Sequence, residues 1–265
     1  MCEINNKVPP GTLTIGYQSN KFIAKAEEIA KRLSLTLDNN APNQLLVSDR
    51  LFLKLENLSP ISLSFIEEFP HLNKVANAGI IRACRPRPGL KILDATAGWG
   101  KDAFLLARFG ADLTLLERHP VMACLLEHAL EEYQQWNVEN NHSALNISLY
   151  NQDAVYYLER LSSDCYPDII YLDPMHPTRK KAALVKNKMQ VLQKLIFNTK
   201  TGMDHLACLE GTEEIRNLIQ LARQKVTDCV IVKWPQRSLA VLPPHSSTPG
   251  KTVRFDRYMK LKPNS

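Results

Sequence analysis

From Lys91 onward, short apolar runs alternate with longer stretches in which apolar residues return at helical spacing. The two rhythms predict strands over 91–94, 112–117, 146–150, 168–173 and 228–233, and helices over 101–109, 120–136, 154–161, 188–197 and 213–225. Gly110 stops the first of these helices. Pro120 opens the second, because a first helical turn has no use for the N–H that proline lacks. The tail, 251–261, carries β-type residues after a Pro- and Ser-rich loop and reads as a closing strand, antiparallel near Arg254 to Tyr258. Strands alternating with helices imply an α/β fold with a mostly parallel sheet covered on both faces.

The first 70 residues follow a different pattern. A short strand at 13–16 precedes a helix over 20–33, with Phe22, Ile23, Ala26, Ile29, Ala30 and Leu33 on one face. Two strands flank Ser48-Asp49-Arg50, and in the second Leu51, Leu53 and Leu55 alternate with Phe52, Lys54 and Glu56. This β-α-β-β arrangement predicts a small α+β domain over 1–70 ahead of a larger domain over 71–265.

Composition narrows the class. With 45% hydrophobic residues in 265, a sizeable core is expected. No apolar run reaches the roughly 18 residues of a membrane span, and the first ten residues lack the pattern of a secretory signal. The six cysteines are scattered without a Cys-x-x-Cys pair, which gives no support to a metal site and suits reduced thiols in the cytoplasm. The net charge of +6 is mild, but it is concentrated. Arg179, Lys180, Lys181, Lys186 and Lys188 lie in a stretch without an acid, and Arg82, Arg85, Arg87 and Lys91 form a second cluster. Taken alone, either cluster reads as a solvated surface.

The chemistry begins in the turn after the first strand of the larger domain. Asp94-Ala-Thr-Ala-Gly98-Trp-Gly100 joins a strand to a helix, and glycines there permit positive φ and close approach to a ligand. About twenty residues on, Glu117 ends the next strand, where an acid can accept ribose hydroxyls. Gly98-x-Gly100-x-x-Ala103 formally fits a dinucleotide fingerprint. Asp94 argues instead for S-adenosyl-L-methionine, because a carboxylate aimed into the loop suits a cationic, amino-acid-bearing ligand and repels a pyrophosphate. Asp102 either stabilises the start of its helix or faces the methionine amine, and Arg118 is either a surface residue or a flank to the adenine. Asp153 is either a helix cap or a partner of the adenine amine.

A second signal is Asp173-Pro174-Met175-His176-Pro177 at the end of a buried strand. An exocyclic amine on a base is a weak nucleophile, because its lone pair is conjugated into the ring. The Asp173 carboxylate and the Pro174 carbonyl are suitable acceptors for its two N–H bonds, and alignment with a sulfonium methyl then permits direct transfer. Met175 and His176 are placed to sandwich an unpaired base. No second His or Cys lies at ligand spacing from His176, so stacking is favoured over metal binding.

These motifs resemble those of RsmJ, the bacterial family of small-subunit ribosomal RNA (guanine-N2)-methyltransferases. The resemblance is carried by Asp94 to Phe104, Leu116-Glu-Arg-His-Pro120, Tyr171 to Pro177, Lys181 to Lys186, Val232 to Pro235 and Arg254 to Tyr258. It implies a class I S-adenosylmethionine-dependent methyltransferase fold, Rossmann-like, behind a small N-terminal domain. It also implies cofactor contacts at Lys101-Asp102, Glu117-Arg118, Asp153-Ala154 and Asp173, and a guanine N2 amine of 16S ribosomal RNA as acceptor, in naked RNA or the 30S subunit. The basic stretch from Arg179 to Lys188 follows the Asp-Pro motif directly, which makes it the expected phosphate-contact surface. Two departures stand out: His176 occupies a position where the family usually has Phe, and 71–79 lacks most of the family's Arg and Gly. The rival readings are a methyltransferase for DNA, protein or small amines, a dinucleotide-dependent oxidoreductase, and a non-catalytic RNA-binding module.

Overall fold

A computed structural model describes residues 12–68, 79–174 and 212–261, which fall into two compact units. In the first, 12–63, β1 (Thr14–Tyr17), β2 (Gln44–Val47), β3 (Leu51–Lys54) and β4 (Ile61–Ser62) form one sheet in that order. β1 and β2 are parallel, joined through helix α1 (Ile23–Leu33), and the remaining pairs are antiparallel. Leu51, Leu53 and Leu55 are buried as their alternation requires, together with Ile15, Ala26, Ile29 and Leu45. Ser34 ends α1 in the left-handed conformation, its N–H bonded to the Lys31 carbonyl.

The second unit opens with helix α2 (Phe65–Glu68) and α3 (Gly79–Cys84), and then alternates strands and helices. Strands β5 (Lys91–Asp94), β6 (Asp112–Leu116), β7 (Ile147–Tyr150), β8 (Ile169–Leu172), β9 (Cys229–Pro235), β10 (Ser246–Pro249) and β11 (Val253–Met259) form one sheet in the order β10-β11-β9-β8-β5-β6-β7. β5 to β9 are mutually parallel, whereas β11 runs antiparallel to β9 and to β10. Helices α4 (Lys101–Arg108), α5 (Pro120–Glu139), α6 (Ala154–Arg160) and α7 (Thr212–Gln224) complete the unit.

Period-2 alternation sorts the residues of this sheet between its faces. Leu93, Ile170, Leu172, Val230, Val232 and Trp234 pack into one core with Leu158 of α6 and Ile215, Leu218 and Ile219 of α7. The alternate residues Ile92, Asp94, Ile169, Tyr171, Ile231 and Lys233 therefore face the other way, where Tyr171 reaches Asp102 of α4. Phe104 of α4 stacks on Phe65 of α2 and meets Tyr133 of α5 edge-on.

The expected elements are present to within a few residues wherever the chain is described; the expected helix at 188–197 lies outside the described residues. β4 and α2 are not among the expected elements, and three further features differ from expectation. β10 falls in what reads as a Pro- and Ser-rich loop: its pairing with β11 creates it, and Pro249 is tolerated because β10 is an edge strand. α3 has no signature at its short length and is defined by burial of Ile80, Ala83 and Cys84. α5 runs past Trp136 to Glu139, and the side chain of buried Asn137 donates to the Ser143 carbonyl beyond its end.

Candidate active site

The chain passes from β5 outward to β6 and β7, then returns to β8 on the other side of β5. That reversal leaves a crevice at the carboxyl ends of β5 and β8, where ligands bind in open α/β sheets. Asp94 ends β5, and Asp173 follows β8.

The loop after β5 is stitched to both neighbouring strands. The Ala95 N–H donates to the Tyr171 carbonyl of β8, and the Ala97 N–H to the Leu116 carbonyl of β6, each at 3.0 Å. The Thr96 N–H donates to Asp94 at 3.0 Å, and the Thr96 hydroxyl accepts from the Asp173 N–H at 2.6 Å. Gly98 and Gly100 have φ of 52° and 67°, the left-handed region. They differ in surroundings. A Cβ on Gly100 would come within 2.5 Å of Leu126 Cδ1, whereas one on Gly98 would meet nothing nearer than the Thr96 carbonyl oxygen at 3.9 Å. Gly100 is thus required by packing, and Gly98 borders open space.

Glu117 accepts from the Gly98 N–H at 2.9 Å through one oxygen and from the His119 N–H at 2.7 Å through the other. It latches the glycine loop to the end of β6, and each carboxylate oxygen retains a second lone pair. Burial raises its pKa, while the two N–H donors and Arg118 oppose the rise. Asn151 donates to the carbonyls of Glu117 and Arg118 at 2.7 and 3.2 Å, fixing that pair from the β7 side. Asp153 caps α6, accepting from the Val155 and Tyr156 N–H groups at 2.9 and 3.1 Å through Oδ1, and Ala154 is buried behind it. Lys101 is exposed at the start of α4.

Asp102 and Asp173 are drawn together by a residue that the sequence reading gave no role. Lys233 Nζ donates to both, at 2.8 Å each, and the Tyr171 hydroxyl donates to Asp102 at 2.6 Å. Parallel register explains the meeting: Leu172 pairs with Val232, so the next residues, Asp173 and Lys233, emerge side by side. The available signal was a lone lysine in the otherwise apolar run 229–234, flanked by buried Val232 and Trp234.

The electrostatics follow from this crowding. Asp94 is 2% exposed, and burial pushes its pKa up to about 8 against the Thr96 N–H, with Asp102 and Asp173 adding to the rise. Asp173 keeps 41% of its side chain exposed. Desolvation by the surrounding protein nevertheless raises its carboxyl, Lys233 counters, and Asp102 adds to the rise. Burial acts to lower Lys233, but Asp173 and Asp102 together outweigh it and hold the ammonium firmly charged. Asp102 and Asp173 thus share one lysine beside the buried Asp94 carboxyl, and two carboxylates against one ammonium favour a cationic ligand over a pyrophosphate.

Of the remaining expected site residues, Pro174 is buried beside Asp173. Met175, His176, Arg179, Lys180, Lys181 and Lys186 lie outside the described residues, as do both departures from the family pattern apart from Gly79. Among the described residues no group of His, Cys, Asp and Glu is arranged to hold a metal. No described helix is long and apolar enough to cross a membrane.

The family model described as "Putative SAM-dependent methyltransferase" matches residues 28–260. A ribosomal RNA small subunit methyltransferase J from Legionella pneumophila (strain Lens) is 46% identical over 248 residues, covering 92% of this chain and 95% of that protein. The chain belongs to the small-subunit ribosomal RNA methyltransferase J family. A family protein from Coxiella burnetii (strain Dugway 5J108-111) is 34% identical and covers 96% of this chain and 99% of its own. The crystal structure of a SAM-dependent methyltransferase from Neisseria gonorrhoeae matches with a TM-score of 0.69 at 26% identity, covering 96% of this chain and 98% of that one. The class I, Rossmann-like methyltransferase fold expected from the motifs is therefore the fold of this family member.

Proposed function

We propose that this protein transfers a methyl group from S-adenosylmethionine to the exocyclic N2 amine of a guanine in small-subunit (16S) ribosomal RNA. The observation that carries the reading is the convergence of Asp102 and Asp173 on Lys233 at the switch point of the sheet, where Asp94 ends β5. The cradle fits the donor: acids line it, and the open side of Gly98 leaves room for close approach.

The donor supplies a methyl group on a sulfonium, which departs without any covalent bond to the protein. Asp94, Gly98, Gly100, Lys101, Asp102, Glu117, Arg118, Asp153, Ala154 and Asp173 form its binding surface. Glu117 serves two ends there, latching the loop and offering its remaining lone pairs to ribose hydroxyls. Asp153 likewise caps α6 and faces the adenine position.

The Asp173 carboxylate and Pro174 carbonyl accept the two N–H bonds of the amine and hold it in line for transfer. Lys233 opposes the burial that raises the pKa of that carboxyl, and it fixes its direction. The methylated amine then loses its proton to Asp173 or to water. Met175 and His176 stack on the target base, and Arg179, Lys180, Lys181 and Lys186 contact RNA phosphates. The small N-terminal domain precedes this methyltransferase core, and the reaction belongs in the cytoplasm, with the 30S subunit or its RNA.

Methyl-labelled donor, incubated with naked small-subunit RNA or 30S subunits from cells lacking the enzyme, should yield labelled N2-methylguanosine after nuclease digestion. Label in DNA or protein instead would overturn the substrate. Calorimetry giving NAD binding and no S-adenosylhomocysteine binding would overturn the chemistry.

A further inference from the structure

The basic cluster at Arg85, Arg87 and Lys91 plays no part in the site described above. It sits at the opposite end of the same sheet, where β5, β8 and β9 begin. There Arg85, Arg87, Asp168, Asp228 and Arg257 help to line a cleft of about 320 Å³.

The acids of the cleft are already occupied. Asp228 pairs with Arg257 at 2.7 Å, and Asp168 accepts from the Lys91 N–H at 2.9 Å and the Thr227 hydroxyl at 3.0 Å. Arg85 and Arg87 are exposed and have no ion pair or side-chain hydrogen bond among the described residues.

The backbone that presents them is rigid. Arg85 follows α3 in the left-handed conformation (φ 49°), its N–H bonded to the Ile81 carbonyl at 2.8 Å. Pro86 follows, with its φ fixed. The next four residues form a type II turn: Pro88 and Gly89 (φ 78°) occupy its centre, and the Leu90 N–H closes it on the Arg87 carbonyl at 3.1 Å. Gly110 lies so close that a Cβ there would come within 3.1 Å of the Pro88 ring, which wedges the turn against the end of α4. Holding two unpaired guanidiniums on a pre-organised loop suits anion capture, because little backbone entropy remains to be lost on binding.

We propose that this cleft is a second RNA contact, in which Arg85 and Arg87 grip the phosphate backbone of the substrate remote from the methylated base. The inference rests on the RNA substrate proposed above. β8 links the two places. Asp168, just before it, lines the cleft, and Asp173, just after it, serves methyl transfer. At about 3.3 Å per residue the two lie about 17 Å apart, well within the reach of a folded ribosomal RNA. Phosphate contacts of this kind fix register and orientation without reading sequence.

The test compares wild type with Arg85→Gln/Arg87→Gln and with Arg85→Lys/Arg87→Lys, using labelled small-subunit ribosomal RNA. In the glutamine variant the Kd for RNA should rise about tenfold, and the slope of log K against log salt should shrink by about 1.4, at about 0.7 per phosphate lost. Its kcat at saturating RNA and its affinity for S-adenosylhomocysteine should match wild type. The lysine variant should recover most of the RNA affinity. An unchanged Kd and salt slope in the glutamine variant would overturn the proposal. An equal loss in the lysine variant would do so too, because the charge is then retained and packing is at fault. If the wild-type enzyme methylates no small-subunit ribosomal RNA, the proposed function itself fails.

Discussion

The two ends of the seven-stranded sheet carry opposite charge and are built in opposite ways. At the carboxyl end Asp94, Asp102, Glu117 and Asp173 are partly or fully withdrawn from water and held by specific partners: backbone N–H groups, Tyr171 and Lys233. At the amino end Arg85 and Arg87 are exposed on a stiff loop. The difference matches the ligands proposed for each end. A small cationic donor has to be held in one pose for an in-line transfer, which calls for buried and cross-linked groups. A polyanion needs charge at the right spacing, which solvent-exposed arginines provide without being buried.

Asp173→Ala should reduce the single-turnover rate of methylation about 10³-fold by removing a transition-state acceptor, while RNA affinity stays near wild type. Unchanged methylation would remove Asp173 from the mechanism.

Lys233→Met should follow, with kcat down about 10²-fold. Asp173 is faced by Lys233 of β9, Asp102 of α4, Asp94 of β5 and Tyr171 of β8, and Lys233 is the cation that counters its raised carboxyl. Its loss should move the acid limb of the kcat–pH profile to higher pH, because the carboxylate then takes up its proton sooner as pH falls. Lys233→Arg should bring the limb back toward wild type. A fall in kcat with no movement of that limb would reduce Lys233 to a structural role.

The two loop glycines divide stability from binding. Gly100→Ala should cost about 2 kcal/mol or more, through strain at positive φ together with the clash against Leu126, read as a lower Tm. Gly98→Ala meets no such clash and should cost about 1 kcal/mol, while weakening S-adenosylhomocysteine binding in calorimetry more than Gly100→Ala does per unit of lost stability.

The smallest effect concerns Asp94. Because burial raises its pKa to about 8, the folded state favours the protonated acid. The stabilisation that this brings is full below the unfolded value of about 4, and it is lost as pH rises through about 8. Asp94→Asn should therefore gain on wild type in Tm by about 3 °C or more between about pH 5 and about pH 8.5 in the absence of ligand. A constant difference would show that Asp94 stays ionised in the fold.

Local pattern determined much of this protein. Hydrophobic periodicity located most of the strands and helices of both described units, because period 2 and period 3.6 are imposed by backbone geometry and written in consecutive residues. The turn chemistry of Gly98 and Gly100 and the strand-end acids Asp94, Glu117 and Asp173 were legible for the same reason: each sits at a fixed offset from an element boundary. Tertiary structure decided what depends on register between strands distant in sequence. Lys233 joins Asp102 and Asp173 only because β9 lies beside β8, and residues 246–249 become a strand only because β11 lies beside them. The two basic clusters looked alike in the chain. Only folding put Arg85 and Arg87 at the end of the sheet opposite Asp173, because β8 runs from one end to the other.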